Sequence, residues 1–234
     1  MNRIQIAICI IAILAVLLVV IIVPVVLSSK RNTEKPRSEA HFITDLSYDI
    51  EVYDDFLSAE ECAELRNKGD SHMFESAVYS SETDKLDPTT RISEQCWLKN
   101  ENEIRNRIHN LIPKLSRRAH LEDLQLVKYK PGGFFTPHYD ACVGSSEFCE
   151  RMDMPHGPRY ITVLIYLSDN KSHELAGGET VFPKINKKIT PKLGRAVVFY
   201  NVDKNGSIIE QALHGGEPVI SGEKWIANQW IRIW

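Results

Sequence analysis

Residues 159–167 read RYITVLIYL, a run in which branched and aromatic side chains follow one another with a single charge, Arg159, at its edge. Such side chains fit a pleated surface and lose rotamer freedom in a helix, so the run reads as a strand. Three more runs of this kind share the C-terminal half: LQLVKY at 124–129, AVVFY at 196–200 and KWIANQWIRIW at 224–234, separated by clusters of Gly, Pro, Asn and Asp. That spacing predicts antiparallel strands in a sandwich or barrel.

Upstream the pattern is different. DFLSAEECAELR, residues 55–66, places Ser58 three residues before Glu61, a capping box that predicts a helix start. Ile104, Ile108, Leu111 and Ile112 carry helical spacing, with Asn100 as the cap and Pro113 near the end. These apolar positions read as core. Helices followed by a strand-rich half give an α+β domain in which N-terminal helices back one sheet, with a double-stranded β-helix (jelly-roll) core as the natural candidate. The mouth of such a core can hold a small-molecule site.

The chain has 234 residues, 43% of them hydrophobic and 25% charged, which suits one folded domain with an appended N-terminus. From Ile4 to Leu27 only Gln5 is polar, and at about 1.5 Å per residue the run reaches roughly 36 Å, enough to span a bilayer. It lacks an A-x-A-like cleavage site, so it reads as an uncleaved anchor, residues 1–29, followed by a polar stalk, 30–48, and a domain over 49–234. Lys30, Arg31, Lys35 and Arg37 outnumber Arg3, which by flanking charge points the domain to the cytoplasm. Two sequons, Asn170-Lys171-Ser172 and Asn205-Gly206-Ser207, point instead to a lumen. The expectation is a single-pass protein of the endoplasmic reticulum membrane with a lumenal domain. Its cysteines, Cys62, Cys96, Cys142 and Cys149, permit disulfides there, and Cys142 with Cys149 would close a short loop; free thiols in a reducing compartment are the alternative. With a net charge of -3 and no basic stripe, nucleic acid is excluded as a partner.

The chemistry is concentrated in FFTPHYD, residues 134–140. His138 and Asp140 are two apart, so on an extended segment both reach the same side. A metal needs a further ligand, and His214, between an apolar-rich run and Gly215-Gly216, sits where a strand end is expected. Two imidazoles and a carboxylate suit the facial triad of non-haem Fe(II) oxygenases, although zinc hydrolases use the same set. Lys224, ten residues beyond His214, is a cation in a mostly apolar strand. Either it snorkels to the surface or it meets an anion, such as a carboxylate cosubstrate held beside iron.

Four segments in order, YKPGGFFTPHYD, RYITVLIYLSD, GGETVFP and ALHGGEPVISGEKWIANQW, resemble the prolyl 4-hydroxylases of the Fe(II)/2-oxoglutarate dioxygenases, and most closely the short membrane-anchored type of plants, algae and large DNA viruses. The resemblance covers about residues 49–234. It implies His138, Asp140 and His214 as iron ligands, and Lys224 as partner of the distal 2-oxoglutarate carboxylate, helped by the Tyr129 and Thr180 hydroxyls. A proline-rich or collagen-like peptide would meet Arg91, Ser93, Arg159 and Trp230, with residues 76–92 as a long loop folding over it. Trp225 and Trp234 are read as core. Peptidyl proline would become 4-hydroxyproline as O2 and 2-oxoglutarate give succinate and CO2, with L-ascorbate maintaining the iron. One departure stands out: Phe135 occupies the position where the family usually has tyrosine, keeping the ring and losing the hydroxyl. The rival readings are the same oxygenase chemistry on another side chain or a small molecule, and a catalytically silent jelly-roll module.

Overall fold

The computed structural model describes residues 49–232, except 80–83, 86, 113–114, 116–118, 143–146 and 170–174. The anchor and stalk, the Asn170 sequon, Pro113 and Trp234 therefore lie outside the described residues. Among those described, no helix is long and apolar enough to cross a membrane.

In chain order the first strands are β1 (Glu51–Tyr53), β2 (Phe74–Glu75), β3 (Val78–Tyr79), β4 (Asp84–Lys85), β5 (Arg91–Ile92) and β6 (Glu94–Leu98). There follow β7 (His120–Leu121), β8 (Leu124–Tyr129), β9 (Phe134–His138), β10 (Ile161–Tyr166), β11 (Ala176–Gly177) and β12 (Thr180–Phe182). The last are β13 (Lys187–Ile189), β14 (Ala196–Tyr200), β15 (His214–Gly216), β16 (Val219–Ser221) and β17 (Lys224–Arg232). Three helices interleave with them: α1 (Ala59–Asp70), α2 (Asn102–Leu111) and α3 (Glu147–Asp153).

An eight-stranded sheet runs β1-β14-β10-β17-β8-β6-β2, with β7 also on β17, and faces a five-stranded sheet ordered β13-β12-β15-β9-β5. The pairings within both are antiparallel. The four long apolar runs are the central strands β8, β10, β14 and β17. They look continuously apolar because both faces of the large sheet are covered.

Alternation then divides each strand between two cores. Leu124, Leu126, Val163, Ile165, Val198 and Ala227 point to one side, where they pack with Cys62 and Leu65 of α1 and Ile104 and Ile108 of α2. Val127, Tyr129, Leu164, Tyr166, Phe199 and Ile226 point to the other, against Phe182, Ile189 and Val219. This second core fills the space between the two sheets, the layout of a jelly roll.

α1 begins as its sequence dictates. The Ser58 hydroxyl accepts from the Glu61 N–H, and the Glu61 carboxylate accepts from the Ser58 N–H. α2 differs from the expectation: its cap is Glu101, which makes no side-chain capping bond. Asn100 instead takes a left-handed conformation, φ 63, and its carbonyl accepts from Asn102. The stretch 76–92, read as loop, carries the β3–β4 hairpin and β5. α3 was not anticipated. It carries Cys149, whose disulfide to Cys142 closes the short loop after Asp140, while Cys62 and Cys96 are free and buried.

Candidate active site

β9 and β15 pair with His214 directly opposite His138. The close approach that this needs depends on Gly215, where a Cβ would lie 2.9 Å from the Phe135 carbonyl oxygen and 3.0 Å from the Pro137 nitrogen. Asp140 follows at the end of the strand. One coordinating atom from each of His138, Asp140 and His214 lies within 4.8 Å of the others. The Nε2 atoms of His138 and His214 are each 3.7 Å from an oxygen of Asp140.

The orientation of both imidazoles is held from behind. Nδ1 of His138 donates to the Thr136 carbonyl and Nδ1 of His214 to the Ala212 carbonyl, each at 2.9 Å, so both Nε2 lone pairs face the carboxylate. Burial and the neighbouring His214 hold the His138 pKa well below the usual histidine range, which keeps that ring neutral and free to coordinate. Burial alone would raise the Asp140 carboxyl, but His214, His138, Arg159 and the Thr162 hydroxyl outweigh it and keep the group ionised. Thr162 Oγ1 donates to Asp140 Oδ2 at 2.6 Å and accepts from Asn201 Nδ2 at 2.8 Å. Phe135 stacks on His138, centroids 3.6 Å apart and planes at 17°, and the Arg91 guanidinium carbon lies 4.7 Å from the Phe135 ring centroid.

Behind the triad, Lys224 is 2% exposed. Its ammonium lies 5.2 Å from the Tyr129 ring centroid and 5.8 Å from that of Tyr166. Among the described residues no carboxylate is within ion-pair distance of it. Burial pulls its pKa from 10.5 to about 7, against the opposing pull of Glu179 and Glu217. The Gly177-Gly178 turn leaves room beside it: both glycines have positive φ, and a Cβ on Gly178 would meet Lys224 Cδ at 3.1 Å. The Thr180 hydroxyl accepts from the Tyr166 hydroxyl at 2.7 Å, within the same buried group.

A cavity of about 360 Å³ contains the triad, Lys224, Tyr129, Thr180, Arg91, Arg159 and Trp230. Ser93 does not line it; its hydroxyl accepts from Arg91 Nε at 2.7 Å and donates to Ser76, so it acts by holding Arg91. Arg159 is bidentate to Glu122 at 2.9 Å and lies 3.4 Å over the Trp230 ring. Trp230 Nε1 is buried with no hydrogen-bond partner. Trp225 points to the opposite, helix-side core, as expected.

Sequence reasoning missed Thr162, Asn201, Tyr166 and the clamp of Arg159 and Arg232 on Glu122. A usable signal existed for Thr162, a polar residue inside an apolar run. The partners of Glu122 lie far off in the chain and carried none.

The donor set fits a divalent metal: three ligand atoms converge, both histidine tautomers are fixed, and a charged carboxylate is already hydrogen-bonded. A buried cation without a counter-ion beside it fits a carboxylate cosubstrate. Fold and site together define a jelly-roll protein with a 2-His-1-carboxylate centre, the type suited to non-haem Fe(II) oxygenases. A family model for the 2OG-Fe(II) oxygenase superfamily matches residues 124–232. A putative prolyl 4-hydroxylase of Acanthamoeba polyphaga mimivirus is 36% identical over 187 residues, 77% of this chain and 73% of that protein. A probable prolyl 4-hydroxylase 3 of Arabidopsis thaliana is 34% identical over 209 residues, 78% of this chain and 68% of that protein. The crystal structure of a viral collagen prolyl hydroxylase from Paramecium bursaria Chlorella virus 1, in complex with 2OG, aligns with a TM-score of 0.62 at 34% identity, covering 82% of this chain and 99% of that one. The chain belongs to the prolyl 4-hydroxylase family of 2OG-Fe(II) oxygenases, enzymes that use Fe(II) and 2-oxoglutarate to oxidise prolyl residues.

Proposed function

We propose that this protein hydroxylates prolyl residues of a proline-rich or collagen-like polypeptide at C4, with His138, Asp140 and His214 as the Fe(II) ligands and Lys224 as the anchor for 2-oxoglutarate. The observation that carries this reading is Lys224, a buried ammonium with no carboxylate partner among the described residues, behind a triad whose donor atoms lie within 4.8 Å of one another.

Iron and 2-oxoglutarate, when bound, supply the activation of O2, with succinate and CO2 as co-products. The chain supplies the rest. Thr162 holds the Asp140 carboxylate with one oxygen turned to the metal position. Lys224 would make a charge-assisted pair with the distal carboxylate of the cosubstrate, and the Tyr129 and Thr180 hydroxyls would donate to it. On the open side, Arg91, Arg159 and Trp230 form the walls that a peptide would meet. Trp230 Nε1, a buried donor without a partner, suits a peptide carbonyl. Ser93 acts through Arg91. L-ascorbate would return iron oxidised in unproductive cycles to the ferrous state.

The membrane anchor over residues 1–29, the stalk over 30–48 and a lumenal placement in the endoplasmic reticulum belong to the same reading, supported by the apolar run and the sequons. Among the sequons, Asn205 is exposed in a turn, which suits an acceptor site.

The test is turnover of 2-oxoglutarate to succinate with Fe(II) and ascorbate, with and without poly-proline and (Pro-Pro-Gly) peptides, followed by mass spectrometry. One added oxygen per modified proline, lost in His214→Ala, is expected. Succinate formation with no peptide oxidised would overturn the assignment of a prolyl substrate.

A further inference from the structure

The wall of the cavity beside Trp230 carries a feature that neither the metal nor the cosubstrate uses. Gln95 on β6, Gln125 on β8 and Asn228 on β17 lie on three adjacent strands, and all three side chains line the cavity. Asn228 Nδ2 donates to Gln125 Oε1 at 3.1 Å, and Gln125 Nε2 donates to Gln95 Oε1 at 2.6 Å. The chain of carboxamides crosses the sheet from the middle strand, where Trp230 pairs with Thr162, outward to β6. Gln95 and Gln125 are each 4% exposed.

Burying two carboxamides and part of a third is costly unless each finds partners, and an apolar set of the same shape would pack this sheet at no such cost. Gln125 uses both its oxygen and its amino group within the chain. Gln95 is left with its amino group and Asn228 with its oxygen, a donor and an acceptor at opposite ends. A carboxamide has the same hydrogen-bonding inventory as a peptide group, one polar oxygen and N–H donors in a plane. Reversing all three amides together exchanges the two ends, so the chain can match a peptide group in either direction. An extended proline-rich segment has no internal hydrogen bonds, so each carbonyl and N–H it brings into the cavity must find a partner there.

We propose that the Gln95–Gln125–Asn228 carboxamide chain is a subsite for a main-chain peptide group of the substrate, at the linkage following the target proline, and that it makes this site select polypeptides over free amino acids. The inference rests on the prolyl-peptide reading given above.

The test is a thermodynamic cycle on the full-length protein, loaded with Mn(II) and 2-oxoglutarate so that peptides bind without turnover. Affinity is read by fluorescence anisotropy for a labelled Pro-Pro-Gly peptide and for its counterpart in which an ester replaces the Pro–Gly amide linkage. In the wild type the ester should weaken binding by roughly five- to tenfold, the loss of about one hydrogen bond. Gln125→Leu should weaken the amide peptide by a similar factor and show no further loss with the ester, while 2-oxoglutarate affinity stays the same. Asn228→Leu, which removes the free oxygen and leaves Gln125 and Gln95 still paired, should repeat the pattern and covers the case in which Gln125→Leu fails to fold. Losses that multiply in both variants, or a fall in 2-oxoglutarate affinity, would overturn the proposal. With Fe(II) in place of Mn(II), a peptide that binds yet gains no oxygen counts against the prolyl reading alone, since the binding cycle is still readable; binding of neither peptide by the wild type counts against both.

Discussion

Lys224 shows how much one side chain can depend on a ligand. Its folded pKa of about 7 lies below the ordinary 10.5, so between these values the unfolded chain carries more protons than the folded one. Stability of the ligand-free protein should therefore rise with pH across that window, and the penalty for burying the charge is present in full below pH 7. A 2-oxoglutarate carboxylate restores the charge, so binding above pH 7 should take up close to one proton and weaken by up to about tenfold per pH unit. Calorimetry in two buffers of different ionisation enthalpy checks this; an affinity flat from pH 7 to 9 would show that the ammonium is not the anchor. Lys224→Ala should raise the 2-oxoglutarate requirement by roughly ten- to a hundredfold, the worth of a hydrogen bond to a charged group, and leave metal binding in place. Thr162→Val removes the hydroxyl that donates to Asp140 at 2.6 Å. Metal affinity should fall by about ten- to a hundredfold, measured by competition with a chelator, while peptide affinity stays close to wild type. His138 and Asp140 were legible from their spacing. Thr162 gave a signal as a polar residue inside an apolar run, but its partner Asp140, in the segment after β9, could not be read from the chain.

At the scale of elements, the site is made by two short strands pressed together. Gly215→Ala would set a methyl group 2.9 Å from a backbone oxygen of β9, and backbone cannot move aside as a side-chain tip can. The variant should lose about 1–3 kcal/mol in denaturant unfolding and bind metal more weakly, because His214 and His138 face each other across this pair. A wild-type metal affinity in a destabilised variant would separate the pairing from the site. Of the helices, α3 lends Met152 and Asp153 to the cavity wall, whereas no residue of α1 or α2 lines it. Ser58→Ala removes the capping bond to Glu61 and should cost about 1 kcal/mol with no change in peptide oxidation. That helix start was legible because a capping box is local, four residues with two reciprocal bonds. The cap of α2 was misread for the opposite reason: Asn100 is of a type that also suits left-handed turns, and it takes that alternative.

The described domain is a two-sheet core with α1 and α2 packed on the large sheet, joined in sequence to an apolar N-terminus. Expressed without residues 1–48, the domain should stay in the soluble fraction and keep its peptide oxidation, whereas the full chain should sediment with membranes and resist extraction by high salt; a full chain found in the soluble fraction would rule out the anchor. The amino-acid sequence by itself determined the class of fold, the central strands, the start of α1, the triad and Lys224. Periodicity carried the strands, a local box the start of α1 and spacing the His138–Asp140 pair, while the triad as a set and the role of Lys224 came from the resemblance of four segments to a known family. Only the tertiary structure decided that His214 faces His138, that Ser93 serves Arg91 rather than the cavity, that Glu122 is clamped by Arg159 and Arg232, and that three carboxamides from three strands form one hydrogen-bonded wall. Those relations join residues that are remote in the chain. They are set by strand register and by which face each residue takes once both sheets are packed, information that no single segment contains.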